Sequence, residues 1–495
     1  MKTLNFFSSK NFLYLTLSLS IALHIGFLNM PPKSMHLWRQ CHTLAVTRNF
    51  FEEGMNIFQP RVDNRFETDG VTGSQFPSFE FGLASIYHLT GEHYWVQRTY
   101  CLLLHLFGII GIYLLAKKIT SNLFLANLSA WAYAWSPLLF YYAITALPDN
   151  IALPFSIWGL YLFMLWFEKY VEKKEKYILE MLGCFFFTTL AGLTKIQYLA
   201  LGFFILTYLI GQRKKMNAFN WTYFSLFGIV TSGLSVGWYL YARWLIEKSG
   251  LTDFGLHFNP VNNVWEGFEI LFSNLTSSLP ESILNYSAFT CLLAAIYFQI
   301  KIKSSNSTLK APFLIWSCVF VMYHIIELGQ MRHHDYYMMA YMPILAIFSA
   351  YGAFHLLVSK HRYFAIILIF TQPILAFARI VPPRFLAAEE DEKRIFYSTE
   401  DLKNLQNCVD DKALCIVGPD DSRCIYFYFL HKKGFGFGEE GISKEQIENY
   451  VNRGAKYLYI SKNDLLFEKD LNSFIHNEIC RVGDFHVYLL KNRIK

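Results

Sequence analysis

Charge is scarce in this chain. Only 17% of its 495 residues are Asp, Glu, Lys or Arg, whereas a soluble protein carries about 25%. That scarcity excludes a soluble globular enzyme. There is no basic stripe either: the net charge is +6, but the lysines and arginines punctuate apolar runs, so no nucleic-acid partner is expected. No internal repeat recurs at a solenoid period. The nine cysteines show no zinc spacing. No compact Asp/Glu/His cluster sits on one element, so no cofactor is expected, with a divalent cation left open. The first apolar run has no small-residue cleavage site behind it and reads as a retained helix.

What fills the chain is hydrophobic. Apolar residues make up 54% and the mean hydropathy is +0.26. Runs long enough to cross a ~30 Å hydrocarbon core, about 20 residues each, recur along it. They fall near 12–30, 99–116, 122–143, 150–168, 178–194, 196–212, 219–242, 284–300, 312–328, 336–357 and 363–380. The fold class expected is a polytopic α-helical membrane protein of about 11 transmembrane helices.

Lysine orients the array. Lys2, Lys10, Lys117, Lys118, Lys169, Lys173, Lys214, Lys215, Lys301, Lys303, Lys310 and Lys360 all fall on one side. The positive-inside rule makes that side cytoplasmic, with the amino terminus inside and the large first loop outside. An odd number of spans leaves the carboxyl tail outside as well. The outer side carries arginine instead, including Arg39, Arg48, Arg61, Arg65, Arg98, Arg332 and Arg384. Guanidinium forks grip phosphate bidentately, as a lysine point charge does not.

Composition changes near residue 384. Alternating runs at 413–418, 424–430, 456–462 and 485–491, with a helix-like SKEQIENYVNRG at 443–454, predict a small α/β domain. The expected division is therefore a spanning domain, 1–383, with an outer loop at 31–98, and a soluble domain, 384–495. Cys408, Cys415, Cys424 and Cys480 allow one or two disulfides there, in a pairing that sequence leaves open.

The outer loop concentrates the chemistry. Asp63, Glu67 and Asp69 lie beside Arg61 and Arg65. A carboxylate there can accept a proton from an incoming hydroxyl or amine while the arginines keep it ionised. Asp69, in ETDG, also fits an acidic turn. After WRQCHT, with Arg39, Gln40 and His42, residues 43–53 predict a short amphipathic helix ended by Gly54 and suited to the membrane plane. Lys195 is nearly alone between apolar stretches, which marks an intramembrane functional residue. MRHHDYY brings Arg332, His333, His334, Asp335, Tyr336 and Tyr337 to the head of a later span, a set that can clamp a phosphate.

These motifs taken together resemble the polyprenyl-phosphate-sugar-dependent glycosyltransferases of the GT-C class. The branch they resemble holds bacterial membrane enzymes grouped with protein O-mannosyltransferases and the lipid A aminoarabinose transferase. The matching stretches are WRQ-x-x-T from Trp38, Arg48-Asn49-Phe50, Pro60 to Asp63, Phe76-Pro77, Pro148-Asp149-Asn150, Leu193 to Lys195, and His334 to Tyr337. They cover about 30–360. The resemblance implies a catalytic acid in the first outer loop, a helix along the membrane surface and a cavity open to the bilayer. Carried over, Asp63 becomes the general base and Asp69 its reserve. Arg61, Lys195, Arg332, His333 and Tyr336 hold the donor phosphate, supported by Arg39, Gln40, His334, Asp335 and Tyr337.

The implied donor is a polyprenyl-phosphate sugar, the acceptor a glycan, lipid or protein, and the surroundings the lipids of a bacterial inner membrane. Two departures stand out: relatives often carry an acid where this chain has His42 and a glutamate where it has Gln75. His42 is thus a third candidate base, with an ordinary pKa near ~6.5. A transporter or flippase for a lipid-linked sugar is the rival reading, and a non-catalytic assembly protein a third. Polar residues gathered at one face argue against alternating access, which uses midplane sites and internal repeats.

Overall fold

The structure, a computed structural model, describes residues 2–66, 68–251, 260–301, 307–387, 391–461 and 471–491; Glu67 lies outside them. Contacts divide the chain into two compact units. One comprises Met1–Asn29, Tyr94–Leu240 and His257–Leu386; the other comprises Met30–His93, Tyr241–Leu256 and Ala387–Lys495. The grouping differs from a cut near residue 384, because the first loop packs as one body with the tail.

The first unit is helical. A helix occupies each stretch expected to cross: Lys10–His24, Tyr94–Thr120, Leu123–Ala134, Asp149–Phe167, Ile178–Thr194, Leu201–Gly211, Ala218–Ser249, Tyr286–Lys301, Ser307–Ile326, Met342–Leu357 and Arg362–Ile380. Length and composition do not confirm all eleven as spans. Among the described residues five helices are long and apolar enough, or up to six if Val264–Ile283 and Tyr286–Phe298, bent by 118°, count as one. Four more are apolar but shorter. Outward apolar side chains such as Ile229, 69% exposed, and Leu240, 65% exposed, suit a bilayer and not water.

Local chemistry explains the breaks. Asn122 caps the helix that follows it by accepting from the Phe124 and Leu125 amides. That helix stops at Ala134, and Ser136 with Pro137 starts a new one, Pro137–Tyr142, since proline fits the first helical turn. The interior is tied by buried polar bonds: Trp131 Nε1 donates to Ile369 O at 2.8 Å, and Asn285 Nδ2 to Trp135 O at 2.8 Å. In an apolar medium such bonds leave few alternatives.

In the second unit a five-stranded sheet, in the order β2-β1-β3-β5-β4, comprises β1 (Leu414–Gly418), β2 (Lys433–Gly436), β3 (Tyr457–Ile460), β4 (Ile475–Val482) and β5 (Phe485–Leu490). β2, β1 and β3 run parallel, and β5 is antiparallel to β3 and β4. Helix Lys444–Asn452 opens on a capping box between Ser443 and Gln446. A disulfide joins Cys408 to Cys480, whereas Cys415 and Cys424 are buried thiols.

One expected strand is a helix. Residues Ile425–Leu430 are helical and buried on every side, so no alternation betrays their period. The start is set by Asp420 Oδ2, which accepts from Tyr426 N at 3.0 Å, and by Ser422 Oγ, which accepts from Ile425 N at 3.1 Å.

Gly352 shows how tightly the spanning unit is packed. A Cβ there would lie 1.8 Å from Cys291 O and 2.7 Å from Ala295 N of the neighbouring helix. Gly352→Ala should cost about 1–3 kcal/mol by overpacking and lower the thermal midpoint in detergent. An unchanged midpoint would mean the two helices do not approach so closely.

Candidate functional site

Functional side chains gather in two groups, one in each unit. In the spanning unit the first is Asp149, which opens helix Asp149–Phe167, where the helix dipole favours a negative charge. Its side chain has no solvent exposure. Lys195 ends helix Ile178–Thr194 in an extended conformation, which turns its side chain back toward that helix start. Its Nζ lies 3.2 Å from Asp149 Oδ2 and 5.3 Å from the ring centres of both Tyr336 and Tyr337. The ammonium is thus paired on one side and faces aromatic rings on another.

The same aromatic pair joins a second polar set. Asp335 Oδ1 accepts from Tyr142 Oη at 2.7 Å, and its Oδ2 lies 3.7 Å from Arg384 Nη2. The Arg384 guanidinium sits 4.7 Å from the Tyr141 ring centre. His334 packs on the rings of Tyr336 and Tyr337, at 5.4 and 6.0 Å. Lys195, His334, Asp335, Tyr336 and Tyr337 therefore come together as the sequence suggested. Arg332 does not join them: it is an exposed partner of Glu266, at 2.9 Å, and His333 beside it is exposed too.

An apolar cavity of about 700 Å³ opens among helices of this unit, lined by Leu279, Leu292, Phe320, Ile344, Phe348 and others, with His324 and Asn274 as polar members. His324 bonds both to Asn274 Nδ2 and to Tyr341 Oη, each at 3.2 Å.

The second unit holds the first-loop candidates. Helix Leu37–Glu53 starts six residues before the expected point and ends at Gly54, whose φ is +120°. Gln40 braces its entry, donating to Lys33 O at 2.8 Å and Met35 O at 3.0 Å. Arg39 Nη2 donates to Gln75 Oε1 at 2.7 Å, and Gln75 Nε2 donates to Glu80 Oε1 at 3.2 Å. His42 is buried, and burial together with the Arg39 charge holds its imidazole well below the usual histidine range, so it is neutral at pH 7.

Asp63 is 2% exposed. Its Oδ1 accepts from Asn49 Nδ2 at 2.9 Å; the same amide group donates to Arg61 O at 3.0 Å. Asp63 Oδ2 is buried and has no hydrogen-bond partner among the described residues. Asp69 is placed differently, on an exposed turn between Arg61 and Val71, which bridge as antiparallel partners. Burial works against its charge, but the Arg61 bond, at 3.1 Å, holds its carboxyl below the usual range. Glu53 gathers cations: Arg65 at 2.5 Å, Lys433 at 2.6 Å and Arg61 at 3.6 Å. Arg48 is buried between Tyr428 O, at 2.9 Å, and Glu92, at 3.3 Å.

Sequence reasoning noticed Pro148-Asp149-Asn150 only as a motif and did not assign Asp149. An acid opening an apolar helix was the available signal. Arg384 stood among the outer arginines, whereas nothing set Tyr142 apart in its aromatic run. Among the described residues no group of three or more His, Cys, Asp or Glu could hold a metal ion.

Residues 74–238 match the family of dolichyl-phosphate-mannose-protein mannosyltransferases. No curated protein matches the chain. ArnT from Cupriavidus metallidurans in the apo state is similar in structure, with a TM-score of 0.62 at 12% identity over 98% of this chain and 99% of that one. The Archaeoglobus fulgidus oligosaccharyltransferase in the apo form gives 0.61 at 10% identity, over 91% of this chain and 69% of that chain. Its complex with an inhibitory peptide and a dolichol-phosphate gives 0.58 at 11% identity. The resemblance to the GT-C class is borne out: the chain shares its fold with ArnT and the oligosaccharyltransferase and is a multi-pass membrane protein.

Two predictions follow from these ion pairs. Lys195→Met should destabilise the protein by about 3–5 kcal/mol, because it strands a buried carboxylate, and adding Asp149→Leu should restore much of the loss. A thermal double-mutant cycle reads this, and additive losses would show that the two side chains are not coupled. Glu53 gives the second. Burial opposes its charge, but the Lys433 bond and the Arg65 charge keep its pKa lowered. Its stabilisation is therefore complete above the ordinary glutamate value, about 4.3, and is lost as pH falls through the lowered value. Glu53→Gln should flatten the fall in thermal midpoint between about pH 5 and pH 3; a parallel fall would place the acid sensitivity elsewhere.

Proposed function

We propose that this protein is an inverting glycosyltransferase of the GT-C class that moves a sugar from a polyprenyl phosphate to a glycan, lipid or protein acceptor. It works at the outer face of a bacterial inner membrane, with the amino terminus inside and the first loop and tail outside. The observation that carries this reading is the cluster of buried Lys195, Asp149, Tyr336 and Arg384 with half-buried Asp335 and Tyr337, set in a fold shared with ArnT. The oligosaccharyltransferase complex with a dolichol-phosphate supports a lipid-phosphate donor.

In this reading Lys195 and Arg384 hold the donor phosphate. Each already faces a carboxylate, Asp149 or Asp335, that keeps the cation in place until an anion arrives. The apolar cavity takes the first isoprene units of the lipid, since concave apolar walls with few polar groups suit such a chain. The acceptor oxygen or nitrogen attacks the anomeric carbon from the face opposite the phosphate. The new bond forms as the carbon–oxygen bond to phosphate breaks, and polyprenyl phosphate leaves as an anion. Asp63 takes the acceptor proton. One displacement at that carbon inverts it. Lys195 and Arg384 act most strongly on the leaving group, where negative charge grows in the transition state.

Transfer from a panel of polyprenyl-phosphate sugars, by purified protein in nanodiscs, tests the reading. Asp63→Asn should lower kcat by about two or more orders of magnitude, the usual size of general-base loss. Activity that survives the change would move the base to His42 or Asp69. Wild-type protein that binds polyprenyl phosphate but transfers nothing from any donor, to any offered acceptor class, would favour a carrier for lipid-linked sugars.

A further inference from the structure

The tail domain has so far had no part in the chemistry. Strand β2 pairs with β1 on one side. On its other side it receives the first loop. Gly434 N donates to Asp63 O at 3.0 Å, Arg65 N donates to Gly434 O at 2.6 Å, and Asn64 bridges Gly434 in parallel register. Asn64 Oδ1 also accepts from Gly436 N at 3.4 Å. Asn64 thus forms an isolated bridge on the outer edge of the tail's sheet, with the backbone groups on either side of it bonded to Gly434, as in the first step of β-augmentation.

Only glycine fits where this addition is made. Gly434 has φ +149°, and a Cβ would lie 2.0 Å from Cys415 O and 2.7 Å from Cys415 N on β1. The backbone on both sides of Asn64, the Asp63 carbonyl included, is fixed by this one residue. Around it, Lys433 binds Glu52 at 2.8 Å and Glu53 at 2.6 Å, so the neighbouring residue ties the end of helix Leu37–Glu53 to the same strand. Asn49, on that helix, fixes Asp63 Oδ1. The outcome is a buried carboxylate with its backbone pinned, one oxygen oriented and the other without a partner. A buried polar atom left unsatisfied calls for an explanation, and a proton acceptor held in one orientation supplies it.

We propose that Gly434 and Asn49 are positioning residues, which fix the Asp63 carboxylate for proton transfer, and that the tail domain serves the reaction as the frame of the first loop. The proposal rests on the reading of Asp63 as base. Two measurements on the full-length protein in nanodiscs separate the claims. By hydrogen exchange, Gly434→Ala should speed exchange in peptides covering residues 61–66 at least tenfold, without altering those of helix Tyr94–Thr120. In the transfer assay it should lower kcat at least fiftyfold while the KM for the donor stays within threefold.

Asn49→Ala keeps the edge bridge and removes only the amide bond, so it guards against a misfolded Gly434 variant. A carboxylate no longer held by that amide loses its orientation, so kcat should fall at least tenfold while the KM for the donor stays within threefold. Asn49→Gln, which keeps an amide donor, should recover part of the loss. Unchanged exchange in Gly434→Ala overturns the frame. Undiminished kcat in a folded Gly434→Ala protein, or in Asn49→Ala, overturns the positioning of a base. A wild type that transfers no sugar sinks the glycosyltransferase reading and the positioning of a base with it, and the exchange result then decides whether β2 frames the loop.

Discussion

A carboxylate with no access to water, Asp149, begins a helix in the spanning unit, and Lys195 answers it at 3.2 Å. Burying either charge alone in a low-dielectric interior would cost several kcal/mol, so neither helix end could keep its place without the other. The pair fixes where helix Ile178–Thr194 stops and where Asp149–Phe167 starts. It also sets Lys195 over Tyr336 and Tyr337, and through them orders the turn that carries Asp335. A second buried pairing, Asp335 with Tyr142 and Arg384, repeats the device. Both leave a cation beside a carboxylate, and in the proposed reaction the donor phosphate takes the place of that carboxylate at the cation.

The first-loop unit meets a different constraint. A loop with no spanning helix of its own has few apolar residues to bury, and its order comes from elsewhere. Val46, Phe50, Val62, Ala84 and Leu251 form a small core, and charged pairs add to it. Arg61, Arg65 and Lys433 converge on Glu53; Arg48 reaches Tyr428 O. Half-exposed ion pairs contribute little singly. Their effect here lies in direction, since each one points a segment of the loop at the same helix end.

How far this could be read from residues alone follows from what kind of signal each feature gives. The helices were legible because a run of about 20 apolar residues has few other uses; helices lie in all eleven expected stretches. The span count was less so, because several of these helices are too short by composition and length to be counted. The strand β2 was hidden: Lys433-Gly434-Phe435-Gly436 has no alternation to detect, and its glycines serve a close approach visible only in three dimensions. Ile425–Leu430 was read as a strand because burial on all sides erases periodicity. In the site, Lys195, Asp335, Tyr336 and Tyr337 stood out as polar groups among apolar spans. Asp149 and Arg384 were visible but unassigned, since pairing depends on distant segments. Asn49 stood in the Arg48-Asn49-Phe50 motif but had no role assigned, because its bond to Asp63 is made across a turn of the loop.

The two departures from relatives become intelligible in the first-loop unit. A glutamate at position 75 would place a carboxylate directly against Arg39. With Gln75 there instead, the amide accepts from Arg39 and hands a donor on to Glu80. A carboxylate still stands near this spot, on Glu80, with the glutamine between it and Arg39. Glu80, 1% exposed, is held by that relay and is tied to Arg39's neutralisation, which suits it poorly to proton transfer. His42 offers an imidazole kept neutral by burial and by Arg39, the form that accepts a proton, but the same two influences oppose the imidazolium that accepting one would create. Asp63 couples burial with a bonded backbone carbonyl and a carboxylate oxygen oriented by Asn49. In the proposed reaction an amide at 75 and a neutral imidazole at 42 leave the role of base to Asp63, the carboxylate whose backbone the edge of the tail's sheet holds in place.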